Sequence, residues 1–367
     1  MVLAYQTPRA RELGLPFGGR TGMHNAITDV PGVEVGHVTL VRGDGPLATG
    51  RGPVRTGVTV VLPRRRLHLL EPLRAGVHAL NGNGEMTGTH WIEEAGIFRG
   101  PIALTNTHSL GIAHQALVRW TVRHGGNRGA YPWLLPVVAE TCDQWLNDMD
   151  GMHVLEQHVL EALDAASPGP VAEGNVGGGT GMICYGFKGG IGTSSRVTSV
   201  AGNDYCVGAL VQANMGVRAA LNVFGVPVGR RMPVVTPRPP REQGSIIVIV
   251  ATDAPLLPGQ AKRLARRAAL GVGRTGTASG DGSGDIFLAF STASDMPADA
   301  QGLCHASYLP HHHLDPLFEA VVDSVEESIV NALVAARTMV GRDDHRVEAI
   351  DAAELLALVR AAHPAPP

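Results

Sequence analysis

The sequence predicts a mixed α/β (α+β) fold with helices laid over sheets. Two patterns carry this expectation. Amphipathic stretches of helical period alternate with short β-rich runs. One such run, residues 246–251, is apolar at every position, as a strand covered on both faces must be. The chain has 367 residues, 44% of them apolar and 17% charged, enough to bury a core without metals or disulfides. Its 47 glycines are nearly twice the usual share of about 7% and follow no fixed period. They cluster between apolar runs, which suits tight turns and close backbone approaches.

The elements follow in order. Residues 58–62 are the first clear β-rich run. Residues 109–124 carry a mixed apolar face and stop before Gly125-Gly126, a helix-ending pair. Residues 182–187 and 191–200 flank Lys188-Gly189-Gly190 and read as a hairpin, with 205–212 as a further strand. Residues 233–244 hold four prolines in twelve positions and read as an extended, exposed loop that ends where the apolar strand begins. Residues 258–270 place Ala261, Leu264, Ala265 and Ala268 on one stripe, with Lys262, Arg263, Arg266 and Arg267 opposite and Gly271 as the C′ residue. Asp315-Pro316 reads as an N-cap followed by Pro at N1. It opens a long helix through Val322, Val325, Ile329, Leu333 and Ala336 to Gly341, and a shorter helix follows Asp351.

Several function classes lack their signature. The net charge is −3, aromatics make up 4%, and no basic stripe interleaves with them, so no nucleic-acid partner is expected. Arg64, Arg65 and Arg66 beside Pro63 read as solvated surface. Cys142, Cys184, Cys206 and Cys304 form no CxxC pair and no zinc spacing. With no secretory pattern after Met1, they point to a reducing, cytoplasmic setting. No stretch approaches about 18 uninterrupted apolar residues, so no membrane partner is expected.

The junction Gln243-Gly244-Ser245-Ile246 carries the chemistry. A serine hydroxyl can attack the preceding carbonyl in an N→O acyl shift, and Gly at that carbonyl removes the Cβ that would obstruct it. Hydrolysis of the ester frees Ser245 as a new N-terminus. Its α-amine has an ordinary pKa of about 7.7–8.0, suited to a general base at neutral pH. Nucleophile and base then share one residue. Read the other way, Gly-Ser is a plain loop-to-strand turn. Local chemistry leaves both readings open.

Motifs elsewhere bear on the choice. They run Ile27-Thr28-Asp29-Val30-Pro31-Gly32-Val33, Val35-Gly36-His37, Asn81-Gly82-Asn83-Gly84-Glu85-Met86-Thr87-Gly88 and Leu104-Thr105-Asn106-Thr107. Further on come Glu173-Gly174-Asn175-Val176-Gly177-Gly178-Gly179-Thr180-Gly181, Val211-Gln212-Ala213-Asn214, Gly244-Ser245-Ile246-Ile247-Val248 and Ser283-Gly284-Asp285-Ile286-Phe287. Over nearly its whole length the chain resembles the DmpA-like family of L-aminopeptidase/D-esterases and β-peptidyl aminopeptidases. The resemblance implies an αββα four-layer sandwich of the DmpA and ornithine-acetyltransferase kind. It implies cleavage at Gly244-Ser245 into a larger subunit, 1–244, and a smaller one, 245–367, which stay together in a homo-oligomer, a tetramer of cleaved pairs. It gives Ser245 the nucleophile's role and Asn214 that of oxyanion donor, against a bare strand-end Asn. Ser283 and Asp285 become the hydroxyl and carboxylate that orient the nucleophile and its amine, against a Gly-rich turn at 280–284; an acid there would also attract a substrate's cationic amine. The family often places an aromatic hydroxyl near the oxyanion, in the stretch equivalent to residues 140–148. No Tyr stands there, and Cys142 and Trp145 are the nearest candidates for the pocket wall.

Other motifs are set aside. Gly271-Val272-Gly273-Arg274-Thr275-Gly276 matches a dinucleotide fingerprint but follows a helix, not a strand. The glycine run at 174–181 lacks the Lys of a phosphate loop. His311-His312-His313 cannot all face one ion and reads as surface, while His90, His108 and His114 read as satisfied polar residues, with a pocket place open to His108. No metal or organic cofactor is expected. The expected activity is release of an N-terminal L-, D- or β-amino acyl residue from a small peptide, amide or ester. The alternatives are an acyltransferase of the ornithine acetyltransferase type and an unprocessed, non-enzymatic relative.

Overall fold

The computed structural model describes residues 8–124, 133–232, 244–293 and 302–363. Gly125-Gly126 and all of the proline-rich stretch except Gly244 lie outside the described residues. In chain order the elements are β1 (Glu34–Arg42), β2 (Val54–Leu62), β3 (Leu73–Gly82), α1 (Thr89–Ala95), β4 (Ile97–Phe98), β5 (Ile102–Asn106), α2 (Leu110–His124), β6 (Val137–Thr141) and α3 (Glu156–Ala165). There follow β7 (Ile183–Cys184), β8 (Phe187–Lys188), β9 (Gly190–Val200), β10 (Asn203–Asn214), α4 (Val228–Arg231), β11 (Ser245–Thr252), α5 (Pro258–Arg274), β12 (Gly284–Ser291), α6 (Asp315–Ala335), β13 (Met339–Val340), β14 (Arg346–Val347) and α7 (Ala352–Ala362).

Two sheets face each other, one ordered β1-β2-β5-β6 and the other β4-β3-β12-β11-β10-β9. Val61, Leu104, Val137 and Ala139 of the first meet Leu210, Ile247, Ile249 and Leu288 of the second in a shared core. On the outer side of the larger sheet, Val248, Val250 and Phe287 pack with Leu264 and Ala268 of α5 and Val325 and Ile329 of α6. On the outer side of the smaller sheet, Val58, Val60, Ala103 and Val138 pack with Ala113 and Leu117 of α2 and Val159 and Leu163 of α3. The layers are therefore αββα. Strand β11 explains its own composition: odd residues face the inter-sheet core, even residues face the helices, and all eight are buried. Among the described residues no helix is long and apolar enough to cross a membrane.

Four local expectations are corrected. Helix α5 runs through Gly271 to Arg274. Gly271 is a contact point and not a C′ residue, because a Cβ there would lie 2.7 Å from both the Val322 carbonyl oxygen and Val325 Cβ on α6. Helix α6 stops at Ala335, short of Gly341. There the Asn175 side chain accepts from the Arg337 N–H at 3.0 Å and donates to the Arg337 carbonyl at 2.8 Å, so a side chain takes over the bonds that another helical turn would need. Leu314 occupies the N-cap position, and Asp315 is the first helical residue. The hairpin partner of β9 is β10, joined across Ala201-Gly202, both at positive φ. Residues 183–188 form their own small hairpin, β7-β8, turned at Tyr185-Gly186.

Candidate active site

The ends of four strands meet where the sheets face each other. Asn214 closes β10 and Ser245 opens β11, and the two are direct partners in the antiparallel ladder. On the other flank β12 runs parallel to β11, with Asp285 beside Ile246. Fully buried Gln212 of β10 donates across the sandwich to the Thr105 carbonyl at 2.9 Å and to Thr141 Oγ1 at 2.8 Å. That tie brings the end of β6, Glu140 to Cys142, over the end of β10.

Ser245 is buried, and its Oγ accepts the Gly284 N–H at 3.0 Å. A backbone donor aimed at a nucleophilic oxygen favours negative charge there. Asp285 is also buried. Its Oδ1 accepts the Ile246 N–H at 3.1 Å and the Ser283 hydroxyl at 2.7 Å, and its Oδ2 accepts the Ser279 hydroxyl. The carboxylate thereby pins the backbone just after Ser245. Asn214 Oδ1 accepts the Ile183 N–H at 2.8 Å, while Nδ2 donates to the Cys142 carbonyl at 2.9 Å. A carboxamide nitrogen carries two donors, and this bond commits one of them. Gly244 is crowded: a Cβ there would lie 1.9 Å from the Asn214 carbonyl oxygen and 3.0 Å from Met215 Cα.

The structure thus gathers Ser245, Asn214, Ser283, Asp285 and Gly244 in one place. Cys142 joins them through its carbonyl. Its thiol is pushed up by burial, so the thiolate is disfavoured. Trp145 is half-buried and stacks its ring on His345, centroids 4.0 Å apart and planes 10° apart. His345 Nδ1–H donates to the Trp145 carbonyl at 2.9 Å, so this side chain packs on the loop before β14. His108 pairs with Asp150 at 3.0 Å.

Two further residues escaped the sequence reading. Ser279, at positive φ, reaches forward six positions to Asp285, and only the small-residue run 279–284 hinted at such a turn. Glu140 is a buried carboxylate on β6. Its Oε1 accepts the Glu85 N–H at 2.9 Å and its Oε2 accepts the Thr107 hydroxyl. Burial raises its pKa, and these two bonds oppose the rise. A Cβ on Gly84 would lie 3.4 Å from Glu140 Oε1 and 3.1 Å from Gly284 Cα, so Glu140 stands close to the residue that holds the Ser245 hydroxyl. Among the described residues no group of three or more His, Cys, Asp or Glu is placed to hold a metal ion.

Residues 25–347 match the sequence profile of Peptidase family S58. The chain belongs to Peptidase family S58. It is 50% identical to the β-peptidyl aminopeptidase BapA of Sphingosinicella microcystinivorans over 96% of this chain and 92% of that one. It is 47% identical to BapA of Sphingosinicella xenopeptidilytica over 97% and 92%. Among solved structures, the L-aminopeptidase D-Ala-esterase/amidase of Ochrobactrum anthropi, described as a prototype of the serine aminopeptidases and a new variant of the Ntn hydrolase fold, superposes with a TM-score of 0.89. The identity is 51%, with 97% of this chain and 99% of that chain covered. A Burkholderia sp. β-aminopeptidase gives a TM-score of 0.88 at 49% identity, covering 98% and 100%. The family resemblance seen in the motifs is borne out. This S58 member is an autoprocessing serine aminopeptidase, a peptide-bond hydrolase on an Ntn-type fold.

Proposed function

We propose that Ser245 performs both the maturation and the catalysis of this S58 peptidase. In maturation, Ser245 Oγ attacks the Gly244 carbonyl carbon. The Gly244–Ser245 C–N bond breaks, the nitrogen becomes the Ser245 α-amine, and the acyl group rests on Oγ as an ester. Water hydrolyses that ester to the Gly244 carboxylate and a free hydroxyl. The products are subunits 1–244 and 245–367. They stay interleaved, since β11 and β12 lie between β3 and β10 in one sheet.

In turnover the Ser245 amine takes the hydroxyl proton as Oγ attacks the first peptide carbonyl of the substrate. The uncommitted Asn214 N–H stabilises the oxyanion. Asp285, held by Ser283 and Ser279, fixes the backbone that carries Ser245. Its Oδ1 already accepts two protein donors, so the substrate's ammonium goes to Glu140, a buried carboxylate that accepts a single protein donor on each oxygen. The substrate's peptide C–N bond breaks as the Ser245 amine passes the hydroxyl proton to the leaving amine. Water then hydrolyses the ester left on Ser245 Oγ, releasing the first residue with a free carboxylate. The substrates are small peptides, amides or esters with a free amine and a small first residue, β-residues included, as the names of the relatives suggest. The working form is a homo-oligomer of cleaved pairs in the cytoplasm.

The observation that carries this reading is the placement of Ser245: its hydroxyl on the Gly284 N–H, the next N–H on Asp285, and Asn214 opposite across the ladder. The test is hydrolysis of matched peptides with L-, D- or β-alanine at the first position, free or N-acetylated. Release of the first residue from free-amine peptides alone, abolished by Ser245→Ala, is expected. Equal cleavage of acetylated peptides would refute the amine-directed reading.

A further inference from the structure

Lys188 looks like a turn residue in the sequence, yet its side chain is entirely buried. Its Nζ donates to three backbone carbonyls, Met182 at 2.7 Å, Gly189 at 2.8 Å and Gly179 at 3.2 Å, which matches the three donors of an ammonium group. These carbonyls lie at both ends of one loop. Between them, the loop supplies the Ile183 N–H to Asn214 Oδ1 at 2.8 Å and the Tyr185 N–H to the Met215 carbonyl at 2.6 Å. The Tyr185 hydroxyl accepts the Thr277 N–H at 3.0 Å, Thr277 Oγ1 accepts the Ser279 N–H at 3.0 Å, and Ser279 bonds Asp285. One buried amine therefore closes the loop that touches both halves of the candidate site.

We propose that Lys188 is a positioning residue: by tying the 179–189 loop shut it sets the rotation of the Asn214 amide and so aims its remaining N–H at the oxyanion. This rests on the reading of Asn214 as oxyanion donor. Oδ1 of Asn214 is held by Ile183, the residue directly after the Met182 carbonyl that Lys188 grips most tightly. Without the amine the loop relaxes, Ile183 draws away, and the amide turns freely. The three carbonyls that Lys188 Nζ grips belong to its own loop, and its effect reaches chemistry through the donor's direction.

The experiment compares wild type, Lys188→Met, Lys188→Arg, Asn214→Ala and the Lys188→Met/Asn214→Ala double variant, with turnover counted per cleaved subunit. Loss of an oxyanion donor costs about 100- to 1000-fold in kcat. Lys188→Met is expected to lose a large part of that, about 10- to 100-fold in kcat, with KM within about threefold, and Lys188→Arg to recover most of it. In the double variant the lysine change should cost nothing beyond Asn214→Ala, a non-additivity that a merely structural role would not produce. Should Lys188→Met fail to fold, Lys188→Gln, which has two donors in place of three, is measured in the same cycle. A kcat within twofold of wild type, or equal cost in both backgrounds, overturns the proposal. Wild-type kcat in Asn214→Ala would overturn the Asn214 reading itself, and the inference with it.

Discussion

Replacing Gly244 by alanine places a methyl group where the fold leaves no room. The new Cβ would lie 1.9 Å from the Asn214 carbonyl oxygen, 2.8 Å from its carbonyl carbon and 3.0 Å from Met215 Cα. Ordinary contact begins at 3.4 Å, so the backbone on one side must give by about 1.5 Å. All three obstacles are backbone atoms of the β10 end, which cannot swing aside as a flexible side chain would. The displacement falls on the carbonyl that Ser245 must attack, and attack requires reacting atoms within about 3–3.5 Å, where 1 Å of misplacement can cost about 100-fold. Gly244→Ala should therefore slow scission at least about 100-fold while β11, covered on both faces, keeps the fold. The assay is a time course of intact mass on freshly purified precursor, with a thermal midpoint as a control for folding. Processing within about threefold of the wild-type rate would refute the crowding argument.

Other outcomes follow from the same geometry. Glu140→Gln removes the charge proposed to meet the substrate's ammonium. It should raise KM for free-amine peptides about 10- to 100-fold with little change in kcat, and an unchanged KM would exclude Glu140 from the amine site. Gly271→Ala improves intrinsic helix propensity but presses a methyl group onto α6. The structure predicts a net loss of about 1–3 kcal/mol in chemical denaturation, and a gain in stability would show that the helices do not meet as described. Burial lowers His37 from 6.5 to about 4, its Nε2 being enclosed without a hydrogen-bond partner among the described residues. The unfolded chain takes up that proton first, so the His37 contribution is complete above pH 6.5 and is lost as pH falls towards 4, up to about 3 kcal/mol. Buried Asp143, raised from 3.8 to about 6, acts oppositely and weakens the fold as pH rises through the same window. In urea titrations at several pH values, the gap between wild type and His37→Gln should thus shift in the variant's favour below pH 6.5, whereas parallel curves would contradict the assignment.

The parts of the fold that were legible were those whose local pattern and tertiary setting agree. Strand β11 is apolar throughout because both faces are covered, and α7 begins where the Asp351 side chain accepts the Ala353 and Glu354 N–H groups. The rest was decided by contacts distant in sequence. Gly271 looks like a helix stop until α6 is seen against it, and nothing local to Ala336 announces that Asn175 will end that helix. Lys188 between apolar residues and two glycines has the composition of a solvated turn. It is buried because three carbonyls from its own loop fold around it. At the site, Ser245, Asn214, Ser283 and Asp285 were legible through ordered motifs, although only the register of β10 on β11 and of β11 on β12 explains why four residues so far apart must meet. Ser279 and Glu140 stayed hidden because one acts through a turn at positive φ and the other from the opposite sheet.

The measurement closest to the centre of this account is the mass of the purified, active protein under denaturing conditions, beside a Ser245→Ala control. Two chains should appear in the active sample, the smaller beginning at Ser245 by N-terminal sequencing, and one inactive chain of 38.4 kDa in the control. A fully active preparation in which the Gly244–Ser245 bond is still whole would contradict it.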